Sequence, residues 1–528
     1  MPGRESSIMA LWLKDFSITE EDVEYLYEFI LDNERPLTSD ELALALIEKR
    51  YREEEQRLKS LLAEGRIYKP ARAYEVGQKL FFPAFNFAPG TVVGVRPGYN
   101  PEYGSFQVIQ VRFDGEDEVR EFASQLPVPH KLDNESPEEW LKKAGTSPTQ
   151  ILERFGEVIK QKLSERLAQE EEFVSFGDQW LLKGMMPEIH LGHLNIAEAA
   201  IDIAGRPLPT EEILPSLELP SAHPKSIQIF SLNKALKEDG RFSLVGPKGY
   251  ALWYLRRLEP PEVTRVPERL VYSPIPYAKE VLDEELIAVI RGIDDEATEE
   301  EFLDSAPVPG DSVTIALPYH HRRSGTLPIV PKTAFLFPEG EADYTMITFV
   351  DAVKGERFYG WAVHSARYVT GLAKWYDEIG APVGAYLTLE RGKAPLEVII
   401  KYTPRRIKKE WVKAAKAQND RLVFEMQLRP VGCDYDDLMM VAEEKSEKID
   451  ALWKKTEESG KTLYELLLQI FPELAKLSPQ GTVHSRTIYT AINLVKRCPP
   501  APILAELKAR ECFTYVGNGY WVFDESKV

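Results

Sequence analysis

The sequence is poor in cysteine. Cys433, Cys498 and Cys512 are the three in 528 residues, too few for a disulfide framework or a four-cysteine zinc site. No apolar run approaches the roughly 18 residues that a membrane span needs, and Met1–Phe16 lacks the layout of a secretion signal. Net positive charge is absent as well. Acidic residues outnumber basic ones 84 to 65, for a formal charge of −19, so the chain does not coat nucleic acid along its whole length. Any phosphate contact is confined to local basic faces. No dinucleotide fingerprint, nucleophile elbow or nuclease motif occurs. Gly460-Lys461-Thr462 has Lys455 where a phosphate loop requires its first glycine. His190 and His193 lack a third ligand and read as a surface or half-buried pair. The expectation is a cytoplasmic protein with no membrane partner, no enzymatic activity, no cofactor and no metal.

What is present is globular: 44 % hydrophobic and 28 % charged residues, enough for about three to four domains at about 150 residues each. Val23, Leu26, Tyr27 and Ile30 recur at helical spacing, Ser39-Asp40-Glu41 opens a second helix, and Leu58, Leu61 and Leu62 mark a third that stops at Gly65. The period then changes. Val92, Val93 and Val95, then Val108, Ile109, Val111 and Phe113, form β-rich runs punctuated by Pro89-Gly90, Pro97-Gly98 and Asp114-Gly115. The expected fold class is α+β multidomain: three winged-helix modules, one small SH3/Tudor-like β-barrel and one larger β-barrel, joined by charged helices. The boundaries are a winged helix over 17–73, a small barrel over 74–130 and a helical linker over 131–190. A second winged helix over 191–258 and an acidic connector over 259–309 follow. A β-barrel with a basic helix over 310–432, a linker helix over 433–460 and a third winged helix over 461–528 complete the chain.

An internal repeat carries most of this reading. Leu236-Lys237, four residues, Phe242-Ser-Leu-Val245-Gly246, then Gly249-Tyr250 matches Leu507-Lys508, four residues, Phe513-Thr-Tyr-Val516-Gly517, then Gly519-Tyr520. A faint third copy is Leu61, three residues, Gly65-Arg66-Ile67. In each, the leucine ends a third helix and the following strand turns back as a hairpin. The stretch 192–258, with Asp239-Gly240-Arg241-Phe242 and Tyr250-Ala251-Leu252, resembles the HARE-type winged helix-turn-helix domain, also found at the start of the RNA polymerase delta subunit. That resemblance implies contact with DNA or the transcription machinery. The family has Trp-Gly-Leu where this chain has Tyr250-Ala251-Leu252. Gly77–Phe122 is similar to Tudor or KOW-like barrels. Phe358-Tyr-Gly-Trp361, Gly371–Tyr376 and Gly384–Leu389 are similar to the pseudobarrel of plant-type transcription factors.

The expected nucleic-acid contacts are local. Lys401, Arg405, Arg406, Lys408, Lys409, Lys413 and Lys416 set seven cations against one acid, Glu410, in 16 residues. On a helix, Arg405, Lys409, Lys413 and Lys416 share a face. His320-His321-Arg322-Arg323 is a second cluster, expected in a loop. The second module offers Lys225, Lys234, Lys237, Arg241 and Lys248, with Ser226, Gln228 and Asn233 as base readers by chemistry. The third offers His484, Arg486, Lys496, Arg497, Lys508 and Arg510. The expected function is a non-catalytic DNA-binding or transcription-associated regulator. Two alternatives stand beside it: a scaffold that contacts RNA polymerase without touching DNA, and a non-catalytic subunit of a restriction or defence system.

Overall fold

The computed structural model describes residues 16–64, 66–82, 85, 88–115, 118–130, 147–220, 222–303 and 310–528. Among them the chain is mixed α+β, with 15 α-helices and six sheets, two of which are half-barrels. It divides into two compact units, Met1–Ile189 with Leu219–Lys234, and His190–Glu218 with Ala235–Val528.

One local design occurs three times. A two-residue strand leads straight into a helix: Leu37–Thr38 into Ser39–Glu64, Leu208–Pro209 into Thr210–Ile213, and Val483–His484 into Ser485–Asn493. Each short strand pairs antiparallel with the second strand of a hairpin, placing Leu37 opposite Trp180, Leu208 opposite Trp253 and Val483 opposite Trp521. The indoles are buried, and a buried indole N–H needs an acceptor. In all three the acceptor is the hydroxyl of the helix's first residue: Ser39 at 3.2 Å, Thr210 at 3.1 Å and Ser485 at 3.0 Å. The Ser39 and Ser485 hydroxyls donate in turn to the Asp178 and Gly519 carbonyls at 3.0 and 2.9 Å. Strand, helix start and hairpin are thereby tied at one point.

In the first unit this design is interrupted. Thr19 caps the helix Glu20–Asn33, accepting from Asp22 N at 3.2 Å while the Asp22 carboxylate accepts from Thr19 N. The break expected between the helix opened at Ser39 and the one carrying Leu58, Leu61 and Leu62 is absent from the backbone, which runs as one helix from Ser39 and ends at Glu64. The side chains of Leu58, Leu61 and Leu62, and Gly65 itself, lie outside the described residues. Arg66–Ile67 is not a hairpin strand of the module. It pairs parallel with Lys79–Phe82 and enters the five-stranded half-barrel. Among the described residues the next helix is Pro148–Leu167, inside the expected linker, followed by the hairpin Phe173–Phe176 and Gln179–Leu182. Leu167 and Phe173 therefore stand six apart, as do Leu236 and Phe242, and Leu507 and Phe513. The third copy of the repeat lies there rather than at Leu61.

The half-barrel core gathers Tyr68, Leu80, Phe82, Val92, Ile109, Val111 and Phe113, with the Phe82 and Phe122 rings 4.5 Å apart. Pro89-Gly90 and Pro97-Gly98, expected as turns, lie inside the strand Ala88–Asn100. Gly90 serves close approach instead: a β-carbon there would sit 2.5 Å from the Val111 methyl.

In the second unit the helix Leu191–Ala204 is capped by His190, whose Nδ1 accepts from Gly192 N while its ring stacks on His193 at 3.6 Å. The hairpin Phe242–Leu244 and Leu252–Leu255 follows. The helix Lys225–Glu238 between them belongs to the first unit as far as Lys234. The second half-barrel has seven strands in the order Ser312–Ala316, Tyr386–Arg391, Glu397–Tyr402, Tyr344–Asp351, Arg357–Val363, Tyr368–Thr370, Thr326–Pro328. Tyr344–Asp351 and Glu397–Tyr402 are its one parallel pair. Its core holds Ile347, Phe349, Leu387, Leu389, Val398 and Ile400.

Two expectations after residue 403 change. The stretch 405–416 is not a helix but part of the strand Pro404–Gln418, paired with Arg421–Cys433. Asn419 and Asp420, with φ of 49° and 60°, form the two-residue loop whose twist suits a tight hairpin. The long helix expected over Asp436–Thr456 is shorter: a strand Val441–Glu444 precedes the helix Ser446–Ser459.

The helix start at Ser485 yields two predictions. Ser485→Ala leaves the buried Trp521 N–H without its acceptor and lowers stability by about 1–3 kcal/mol, read as an earlier urea-unfolding transition. His484 caps the same helix through Nδ1, which accepts from Arg486 N at 3.1 Å. Burial, and then the Arg486 guanidinium, push the His484 imidazole down from 6.5 to about 4. The unfolded chain therefore takes up the proton first, so this stabilisation is complete above about pH 6.5 and is lost as pH falls toward about 4. His484→Asn keeps a capping oxygen and flattens the fall in melting temperature between pH 7 and pH 5.

Candidate nucleic-acid interface

The strands Pro404–Gln418 and Arg421–Cys433 form a ribbon whose third strand, Val441–Glu444, covers only Lys413–Lys416. Strand alternation then sorts the side chains. Val412 and Val431 lie on one face, buried with Met440. Glu410 shares it and accepts from the Tyr435 hydroxyl at 2.7 Å; burial, and then this carboxylate, raise the Tyr435 phenol above its ordinary range. The other face carries Lys409, Trp411 and Lys413 opposite Pro430, Leu428 and Met426. There Trp411 is 65 % exposed, Leu428 47 % and Met426 40 %. One face anchors the ribbon, and the opposite face presents an indole between lysines.

The seven expected cations of this segment do not share a helix face, because a strand has a period of two. Arg405 pairs with Asp434, Lys401 with Glu390 at 2.5 Å and Lys416 with Glu425 at 2.7 Å. Lys413 donates to the Asp437 carbonyl at 3.0 Å. Arg406, Lys408 and Lys409 are exposed and have no ion pair among the described residues.

Elsewhere most expected contacts are consumed inside the protein. His320 to Arg323 form part of the helix Tyr319–Ser324 rather than a loop, with both histidines buried. Arg322 donates to the Ala381 carbonyl at 2.6 Å and pairs with Asp377 at 3.0 Å, and Arg323 pairs with Asp450 at 2.5 Å. Lys237 pairs with Glu341 at 2.6 Å, and Lys248 lies 3.5 Å from Glu339. Arg241 is held by Asp239 and Glu198 at 2.7 and 2.6 Å. Arg486 pairs with buried Asp436 at 2.5 Å and donates to the Gly292 carbonyl at 2.9 Å. Lys508 pairs with Asp283 at 3.1 Å and Arg510 with Glu506 at 2.7 Å. Lys234 is partly buried and engaged, whereas Lys225 is exposed. Of the three candidate base readers, Asn233 is buried, Gln228 donates to the Pro220 and His223 carbonyls, and Ser226 is exposed.

The hairpins of the second unit also face protein. Val245 packs with Met346 and Trp361 and accepts from Met346 N at 2.9 Å. The helix Pro500–Ala509 buries Ile503, Leu504 and Leu507 in a core shared with Leu282, Leu286 and Ile290. Tyr515 on the following hairpin donates to Glu285 at 2.9 Å.

Three features escaped sequence reading: the exposure of Trp411, the insertion in the first module, and a buried charged cluster around Arg497, which pairs with Asp295 and Glu296. The Leu167–Phe173 spacing and the Arg35-Pro-Leu and Arg206-Pro-Leu pairs were the available signals for the second. Comparison of the chain with family models, curated proteins and solved structures finds no match.

The sorting of cations into paired and unpaired is testable by stability alone. Arg486→Ala strands the buried Asp436 carboxylate and costs about 3–5 kcal/mol. Lys409→Ala changes stability by less than about 0.5 kcal/mol. Paired urea titrations of the two variants measure the contrast.

Proposed function

We propose that the chain is a non-catalytic DNA-binding or transcription-associated protein, with its three Trp–hydroxyl modules as winged helices and the ribbon 404–433 as the phosphate-contacting element. The observation that carries this reading is the 65 % exposed Trp411 with Lys409 on its face, and Arg406 and Lys408 exposed in the same strand, all three cations without an ion pair among the described residues. A two-stranded ribbon fits the roughly 12 Å major groove, and an exposed indole between lysines suits stacking on an unpaired base. With a formal charge of −19, the body of the protein opposes DNA. Binding is then local, moderate and steeply weakened by salt, and gains strength from several modules on one chain.

A second reading, a scaffold contacting RNA polymerase or another complex, is favoured by one observation. The helix Pro500–Ala509 and its hairpin are already used to hold the chain's own segment around Leu282–Ile290. Modules of this kind then serve protein contact.

Fluorescence anisotropy on a short duplex with a single-stranded end, at several salt concentrations, separates the two. The triple change Arg406→Ala, Lys408→Ala, Lys409→Ala lowers the slope of log affinity against log salt by about 2–3, and Trp411→Ala weakens the single-stranded arm by about 1–3 kcal/mol. Binding unaltered by the triple change, or no binding at low salt, overturns the DNA reading. Polymerase capture by the triple variant supports the scaffold.

A further inference from the structure

We propose that Glu296, His320 and His321 form a buried site for one divalent transition-metal ion of the zinc type. The three side chains come from two elements of the second unit: the acidic turn Asp294-Asp295-Glu296 after the helix Glu284–Arg291, and the helix Tyr319–Ser324. All three are buried, with both histidines fully so. Their donor atoms meet at one point, within 4.8 Å of one another. Glu296 Oε2 is 3.3 Å from His320 Nε2 and 2.7 Å from His321 Nε2. Ligands about 2.0–2.1 Å from a tetrahedral ion stand about 3.3–3.4 Å apart, so the Glu296–His320 edge already has that length, the Glu296–His321 edge needs a small opening, and the His320–His321 edge lies within 4.8 Å.

The surroundings are those of a ligand set held in place. His321 Nδ1 meets the Thr326 hydroxyl at 2.8 Å, which orients the ring and leaves Nε2 toward Glu296. Glu296 Oε1 accepts from Arg497 at 2.9 Å, leaving Oε2 to the imidazoles. Arg497 also holds Asp295 at 2.6 Å, and Tyr489 donates to that same carboxylate at 2.5 Å.

Charge gives the second argument. Asp295 and Glu296 place two carboxylates against one guanidinium in a fully buried space. Among the described residues His320 Nδ1 has no hydrogen-bond partner, so this ring is not explained as part of a completed hydrogen-bond network. A divalent cation offsets the excess carboxylate charge and ties the acidic connector to the helix Tyr319–Ser324. Imidazole and carboxylate donors without thiolate suit zinc or cobalt better than calcium or magnesium.

The full chain, stripped with a chelator and then given zinc, tests this. Elemental analysis after desalting is expected to give about one zinc per chain. The melting temperature rises on reloading, and cobalt in place of zinc shows visible absorption bands of a low-symmetry site. Glu296→Gln and His321→Ala each abolish the retained metal. Wild-type protein that retains no zinc, melts identically with and without chelator and gives no cobalt spectrum overturns the site and leaves Glu296–His321 as a buried ion pair. Because the decisive readouts are on the wild-type chain, a variant that fails to fold does not mask the result.

Discussion

A buried indole N–H that finds its acceptor on the first residue of a helix is the contact on which the architecture rests. Trp180, Trp253 and Trp521 each make it, to Ser39, Thr210 and Ser485. The bond has a geometric consequence beyond its own energy. It fixes the second hairpin strand against the two-residue strand, and so sets which residue lies opposite which: Leu37 with Trp180, Leu208 with Trp253, Val483 with Trp521. Slippage by one residue would turn the indole outward and leave the hydroxyl unused. The same bond survives an insertion of a whole half-barrel between the second and third helices of the first module.

Electrostatics works on a different principle here. In a chain with more acids than bases, most cations that read as candidate phosphate ligands are within reach of a carboxylate. Arg241, Arg322, Arg323, Arg486 and Lys508 are taken up in this way. Exposed pairs among them contribute little to stability, but each lowers the charge available to a polyanion. The ribbon escapes because its acids are already engaged: Glu410 faces Tyr435 and Glu425 faces Lys416. Arg406, Lys408 and Lys409 are exposed and have no ion pair among the described residues.

Legibility followed locality. The hairpins after Leu236 and Leu507 were readable because leucine, phenylalanine and the Val-Gly pair keep their spacing within a dozen residues. The equivalent hairpin after Leu167 has Phe176-Gly177 in place of Val-Gly and sits more than a hundred residues beyond its short strand at Leu37, so no local window joins the two. Lys-rich 405–416 has no periodicity that separates a helix face from a strand face. Only the pairing with Arg421–Cys433, and the Asn419-Asp420 loop that permits it, decide for the strand.

By itself the amino-acid sequence determined the mixture of short helices and hairpins, the repeated leucine–phenylalanine spacing, and the acid excess that confines any phosphate contact to small areas. These are properties of neighbouring residues or of sums over the chain. Which cations remain free, that Trp411 is outside while Trp361 and Trp375 are buried, and that Glu296, His320 and His321 converge were decided by tertiary structure. Burial and pairing depend on what distant segments bring to the same place, and no single stretch of sequence contains that information.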